Sequence, residues 1–373
     1  MIRIAFFAPI LGTGGTQRHL QQVLRLLDPS RFAAEVITLR PGGEVEAELK
    51  GAGTPVTSLA IGARLTTPRA ARALVRTAAR LRASGVQVVH GYQWRPALVG
   101  ALAGRLARVP LLLASKRSLT GDSRQARVAW KAIGRRVDTI VVNAEALRAE
   151  AEAHGTAARW ALIPSGVELD RFTDVPAAAD AKTGLGLDPR RPVVGTVGRL
   201  ESRKGHADFL VAARAMLALA NGLRPQLLIV GDGPLRAALG RQVEELGMAE
   251  TVRFTGAVAD VRGPLAAMDV FVLPSHAEGM SNALLEAMAA RRAVVATAVG
   301  GTREVVDATN GVLVPPGDAE AMAGEVVRLL ADPLRARRLG EAAQRRVADA
   351  FSAAAMVRRL EALYTERLGA GAA

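Results

Sequence analysis

The chain has 373 residues, half of them hydrophobic, no cysteine and a formal net charge of +14 at pH 7. That length favours two domains over a single core. The absence of cysteine excludes disulfides, thiolate metal sites and thiol catalysis, and fits a reducing compartment. No apolar run approaches the roughly 20 residues that a membrane span requires.

Ile2–Ala8 is a near-continuous apolar run, as expected of a parallel strand covered on both faces. It runs into Gly12-Thr13-Gly14-Gly15 with no small-x-small cleavage site, so it reads as a buried first strand rather than a signal peptide. A helix follows over Thr16–Leu27. Further strands are predicted at 34–39, 56–59, 86–90, 111–115, 139–143 and 160–163, with helical patterns between most of them. Residues 164–175 read as irregular, and the polar, small, Pro- and Gly-bearing stretch 174–187 as a linker. The alternation then restarts with strands at 193–197, 227–230, 252–255, 270–273, 294–297 and 312–314. A helical tail runs from about Ala319, broken at Asp332-Pro333 and near Phe351-Ser352. This is the βαβ alternation of doubly wound parallel sheets, twice over. The expected domains are 1–175 and 188–351, joined by a linker at 176–187. A terminal helix at about 352–373 is expected to pack back on the first domain.

The charge is uneven. Residues 1–175 hold 25 Lys+Arg against 13 Asp+Glu, a net of +12, whereas 176–373 hold 24 against 22, a net of +2. Residues 64–136 hold 16 basic residues and one acidic residue, Asp122. Such a field attracts anionic membrane, nucleic acid or anionic substrate. Arg69, Arg72, Arg76 and Arg80 recur at three- and four-residue steps, which places them on one helix face. That face suits either an interfacial surface or plain solvation. The basic region Lys116–Arg136 suits a phosphate-bearing acceptor.

Three constellations carry chemistry. Gly12–Thr16 follows the first strand and opens a helix, where glycines let backbone approach a phosphate. As a dinucleotide fingerprint it is poor, since Gln17 stands where a third glycine belongs and Arg40, not an acidic residue, ends the second strand. Gly198–Gly205 follows the first strand of the second domain and brings Arg199 and Lys204 to a strand end, where open α/β sheets bind ligands. There Arg can grip a diphosphate bidentately and Lys can act as a point charge. Glu278–Glu286, E-G-M-S-N-A-L-L-E, frames a strand-to-helix corner with two carboxylates, and Ser281 or Asn282 can cap the helix. Helical spacing throughout would separate the carboxylates by roughly 12 Å along the axis. That suits gripping two ends of a phosphate-centred ligand, although carboxylates also favour a helix start for its dipole alone.

Taken together, these segments resemble the retaining GT-B glycosyltransferases of family 4 (glycosyl transferases group 1). The resemblance is carried by G-T-G-G-T-Q-R-H near the N-terminus, I-P-S-G-V-E-L-D-R-F at 163–172, V-G-R-L-E-S-R-K-G at 197–205 and V-G-D-G-P-L-R at 230–236. It continues in V-R-F-T-G at 252–256, P-S-H-A-E-G-M-S-N-A-L-L-E at 274–286 and G-G-T-R-E-V-V at 300–306. Ser165 stands where the family usually has asparagine, and Arg303 where proline often precedes the glutamate.

The resemblance implies two Rossmann-like parallel-sheet domains facing a central cleft, and transfer of a sugar from a nucleotide-diphosphate donor with retention. It implies no cofactor and no essential metal, and the chain has no D-x-D motif. It assigns Glu278, Arg199 and Lys204 to catalysis. It assigns Gly14, Gly15, Glu278, Gly279, Met280, Ser281, Asn282, Leu284 and Glu286 to the donor. His90 and Tyr92 align with a family H-x-H strand end. The alternatives are that one of them lines the acceptor side or that neither does, His90 being then a satisfied strand-end histidine; by charge, Arg117 is a further acceptor-side candidate. The implied setting is cytoplasmic, either free or peripheral on the inner face of the cytoplasmic membrane, with a glycan or lipid-linked acceptor in bacterial cell-surface polysaccharide or glycolipid synthesis. The rivals are a basic nucleic-acid-binding protein, an NADP-dependent oxidoreductase, and a GT-B relative that hydrolyses or epimerises its donor. Aromatics for base stacking are few in 64–136, and no nucleic-acid docking motif is present.

Overall fold

The computed structural model describes residues 1–12, 14–62, 67–119, 123–219 and 222–370. Thr13 of the glycine loop, Arg64 and Asp122 of the basic stretch, and residues 371–373 lie outside the described residues. The chain divides into two compact units, Met1–Ser165 with Ala353–Ala373, and Gly166–Ser352.

The first unit holds seven parallel strands: β1 (Ile2–Ala8), β2 (Phe32–Thr38), β3 (Val56–Ser58), β4 (Val88–Tyr92), β5 (Leu111–Lys116), β6 (Thr139–Val142) and β7 (Trp160–Leu162). Their order across the sheet is β3-β2-β1-β4-β5-β6-β7. β1 lies between β2 and β4, with Ile4 beside Ala34 on one side and Val88 on the other. Ile4, Ala5, Phe6, Phe7 and Ala8 are all buried, which is why this strand reads as a run and not an alternation. The helix Ala353–Ala370 supplies Met356, Val357, Leu360 and Tyr364 to the same core as Ile4, Phe6 and Tyr92. Each such side chain contributes roughly 1.5–3 kcal/mol on burial. Glu361 on that helix accepts from the Asp28 backbone N–H at 2.8 Å.

The helix Pro68–Ala83 carries the arginine stripe, with Thr67 capping it by accepting from Ala70 N. Arg69, Arg72 and Arg76 are exposed on it, beside an exposed Val75. Arg80 departs from that face. Its guanidinium pairs with Glu35 and donates to Thr57 Oγ1 at 2.6 Å, so Glu35 of β2 neutralises the fourth position and Thr57 of β3 anchors it.

The second unit holds six parallel strands: β8 (Val193–Val197), β9 (Gln226–Val230), β10 (Val252–Gly256), β11 (Val270–Leu273), β12 (Ala293–Thr297) and β13 (Val312–Val314). Their order is β10-β9-β8-β11-β12-β13. The expected linker and domain boundary are corrected here. Residues 166–187 belong to this unit, and Ala178–Gly184 is a helix. Val167, Phe172, Ala181 and Leu187 sit in its core, and Lys182 Nζ lies 2.8 Å from Asp269 Oδ2. A few well-spaced apolar residues outweighed the polar composition that suggested a linker.

Candidate active site

In each sheet the strand order reverses once, between β1 and β4 in the first unit and between β8 and β11 in the second. Open α/β sheets bind ligands beyond the carboxyl ends of the strands at such switch points. The segment after β8 carries Arg199, Arg203 and Lys204, and the segment after β11 carries Pro274–Ser281. The two therefore leave the sheet side by side although they are 74 residues apart in sequence at Lys204 and Glu278.

Glu278 is the centre of this corner. Its side chain is 5% exposed, and Oε1 lies 2.6 Å from Lys204 Nζ and accepts from Ser275 Oγ at 2.7 Å. Arg203 Nη1 lies 3.9 Å from Oε2. The loop is shaped by backbone contacts that only glycine permits. Gly205 has φ +66° and an added Cβ would stand 1.9 Å from Pro274 O; Gly300 has φ +45° and its Cβ would stand 1.9 Å from Glu278 O. Gly301 N donates to Gly279 O at 2.8 Å, and Thr297 Oγ1 donates to Ser275 O. The carboxylate is thus held from β8, β11 and β12 together.

The other donor-side positions separate. Arg199 is mostly exposed, with Nε 3.6 Å from Glu201 Oε2. Ser281 caps the helix Asn282–Ala289, its oxygen accepting from Leu284 N at 3.4 Å. Glu286 is half-buried in the second turn of that helix, and Asn282 is half-buried at its start. Only the stretch from Asn282 onward is helical, so the all-helical spacing between the two carboxylates does not apply. Met280 and Leu284, expected at the donor, offer no exposed side chain here. Both are buried in the core of this unit, and the Leu284 N–H is occupied by the cap. Arg203 and Ser275 were missed, because Arg203 reads as a solvated charge and Ser275 as part of a turn until Glu278 is placed beside them.

In the first unit, Gly14 and Gly15 are exposed at the start of the helix Gly15–Leu26, which has no side-chain cap and no acidic residue in its first turn. His90 and Tyr92, the candidates for the acceptor side, are both fully buried. His90 Nδ1 lies 2.7 Å from Tyr364 OH and Nε2 2.8 Å from Ser115 Oγ, and the ring stacks on Tyr92 at 4.8 Å. Tyr92 OH in turn lies 3.2 Å from His19 Nε2. Strand and terminal helix enclose both rings, so His90 is the satisfied strand-end histidine. Arg117 behaves differently: it is only partly buried, and it touches His19 and Ser165.

Burial depresses three imidazoles. It holds His90 at about 3, with help from Arg117, and His206 at about 4, and it holds His19 well below the usual range. An unfolded histidine titrates near 6.5. Below that pH the unfolded chain takes up protons that the folded chain refuses. Stability is therefore full above about pH 6.5 and is lost as pH falls toward 4, by up to about 1.4 kcal/mol per unit for each group. Urea unfolding at pH 7 and pH 5 is expected to show a large drop in midpoint, and a smaller one in His206→Gln. Equal drops in the two proteins would contradict the assignment.

Residues 14–166 match the model of the glycosyl transferase 4-like domain, and residues 191–332 match that of the glycosyl transferases group 1. The chain is 34% identical over 316 residues to D-inositol 3-phosphate glycosyltransferase of Geodermatophilus obscurus, an alignment covering 79% of this chain and 69% of that protein. It is 34% identical over 203 residues to 2-deoxystreptamine N-acetyl-D-glucosaminyltransferase of Streptomyces fradiae. That alignment covers 54% of this chain and spans about half, 48%, of that relative. HepE from Anabaena, solved with UDP and glucose, shares the fold with a TM-score of 0.87 at 20% identity, over 98% of this chain and 100% of that one.

Proposed function

The chain belongs to glycosyltransferase family 4, the group 1 glycosyltransferases of GT-B fold, and from that premise we propose that it moves a sugar from a nucleoside-diphosphate donor to a glycan or lipid-linked acceptor with retention of configuration. The observation that carries this reading is the buried Glu278, fixed by Lys204 and Ser275 at the switch point of the second sheet. A carboxylate held this firmly is a ready acceptor for sugar hydroxyls. Arg203 and Lys204 flank it, Arg199 stands exposed on the same β8 loop, and the three cations suit a diphosphate. As the bond from the anomeric carbon to the diphosphate oxygen breaks, these cations stabilise the charge that develops on the leaving group. The acceptor oxygen forms the new bond, and its proton passes to the leaving phosphate, so no side-chain base is required. No required metal enters this scheme, and a chelator is expected to leave turnover intact. Glu286, on the second turn beyond Ser281, suits the ribose hydroxyls.

A thermal-shift panel of UDP, GDP, ADP, CMP and NADPH tests this. A ligand that binds only the folded state raises its stability by mass action, about 2.7 kcal/mol at a hundred times Kd. One nucleoside diphosphate is expected to raise the melting temperature, and Glu286→Ala to abolish most of that rise. A response to NADPH alone would favour the oxidoreductase rival.

A further inference from the structure

Two cations follow one another at the end of β5, and among the described residues only one of them has a counter-ion. Lys116 is buried, with Nζ 2.6 Å from Glu150 Oε2 and donating to Ser118 O at 3.0 Å. Arg117 has no carboxylate within ion-pair distance among the described residues. Its Nη1 lies 3.3 Å from His19 Nε2, and its Nη2 donates to Ser165 Oγ at 2.9 Å. Ser165 also accepts from Asn143 Nδ2 at 2.9 Å.

A guanidinium only donates, so its contact fixes the histidine: His19 Nε2 accepts, and the neutral ring carries its proton on Nδ1. Among the described residues that buried Nδ1 has no hydrogen-bond partner, nor has Asn143 Oδ1. Burial lowers Arg117 to about 10. A half-buried cation braced by neutral groups loses hydration without a Coulombic return. Folding alone gains nothing from that arrangement, whereas an incoming anion would restore the return.

We propose that Arg117 binds a phosphate group of the acceptor. The inference rests on the glycosyltransferase reading for the word acceptor, but not for the anion. Arg117 follows a strand carboxyl end one strand from the switch point of the first sheet, on the side where such sheets take ligands. The guanidinium is a planar fork matched to phosphate oxygens. His19 and Ser165 hold its plane and act as positioning residues. Tyr92, Ser115, His90 and Tyr364 form the chain of contacts behind His19. The phosphate belongs either to a soluble monoester or to a lipid-linked acceptor.

The test first saturates the protein with whichever nucleoside diphosphate stabilises it, then titrates inorganic phosphate and follows the melting temperature. In parallel it measures sedimentation with phosphatidylcholine vesicles with and without phosphatidic acid. Wild type is expected to respond to phosphate, to phosphatidic acid, or to both, which separates the two sources. Arg117→Gln is expected to weaken that response by about ten-fold or more while keeping the nucleotide shift, and Arg117→Lys to retain part of it as a point charge. Responses unchanged in Arg117→Gln, or absent in wild type in both arms, would overturn the proposal. If no nucleotide stabilises the wild type, the glycosyltransferase reading falls, and the phosphate arm still reads Arg117 separately.

Discussion

Glu278→Gln is expected to cut turnover by about 100- to 1,000-fold with the fold retained, the range seen when one fixed polar group is removed from a transition-state site. Glutamine has the same shape and can still accept from Ser275. What it removes is the charge that faces Lys204 at 2.6 Å and Arg203 at 3.9 Å. Lys204 is only 16% exposed, so water does little to replace the lost partner. Two effects then combine. The site loses the charged acceptor proposed for the sugar hydroxyl, and the lysine loses the partner that fixes its position. Because the first of these matters most as charge develops, kcat is expected to fall more than the donor KM rises. Initial rates of nucleoside-diphosphate release, beside a melting curve for each protein, check this. A variant that melts like wild type and turns over at a similar rate would remove Glu278 from the centre of the site.

Gly300→Ala is expected to be among the most damaging single-methyl changes in the second unit, alongside Gly205→Ala. The added Cβ would stand 1.9 Å from Glu278 O, and the backbone there has φ +45°. No flexible side chain is available to yield, since the obstacle is backbone. Relief requires parting the loop after β12 from the loop after β11, which also breaks the 2.8 Å bond from Gly301 N to Gly279 O. Overpacking of this kind costs about 3 kcal/mol, a fall of roughly 6–12 °C in melting temperature for a unit of this size. Turnover is expected to fall with it, because the displaced segment carries Glu278. Gly317→Ala is the control: its φ is +78° but a Cβ there meets nothing within 4 Å, so it costs only about 1 kcal/mol of backbone strain. Equal melting temperatures for the two variants would contradict the packing argument.

The strands were legible because parallel strands buried on both faces leave unbroken apolar runs. All thirteen predicted runs are strands, and Ile2–Ala8, Val193–Val197, Val270–Leu273 and Val312–Val314 keep their bounds. The family resemblance was equally legible, since glycines at close backbone approaches leave little freedom of residue choice. Partnership across the sheet was not. Lys204 and Glu278 were assigned to different parts of the donor, and only the β8–β11 adjacency shows that they form one ion pair. Local charge patterns misled where a distant element supplied the partner. Arg80 belongs to its helix stripe by spacing but to Glu35 by contact, and His90 belongs to the strand end by motif but to Tyr364, 274 residues away, by hydrogen bond. The helix Ala178–Gly184 was hidden by a composition typical of linkers, because its burial rests on Ala181 and the flanking Leu187.

Whether the corner built on Glu278 handles a nucleoside-diphosphate sugar is decided by release of the nucleoside diphosphate from a panel of UDP-, GDP- and ADP-sugars, each with wild type and with Glu278→Gln. Wild type is expected to release it from at least one donor, and the variant to lose about 100-fold or more of that rate. Release that is equal in the two proteins, or from none of the donors by a folded wild type, would contradict that reading of the corner.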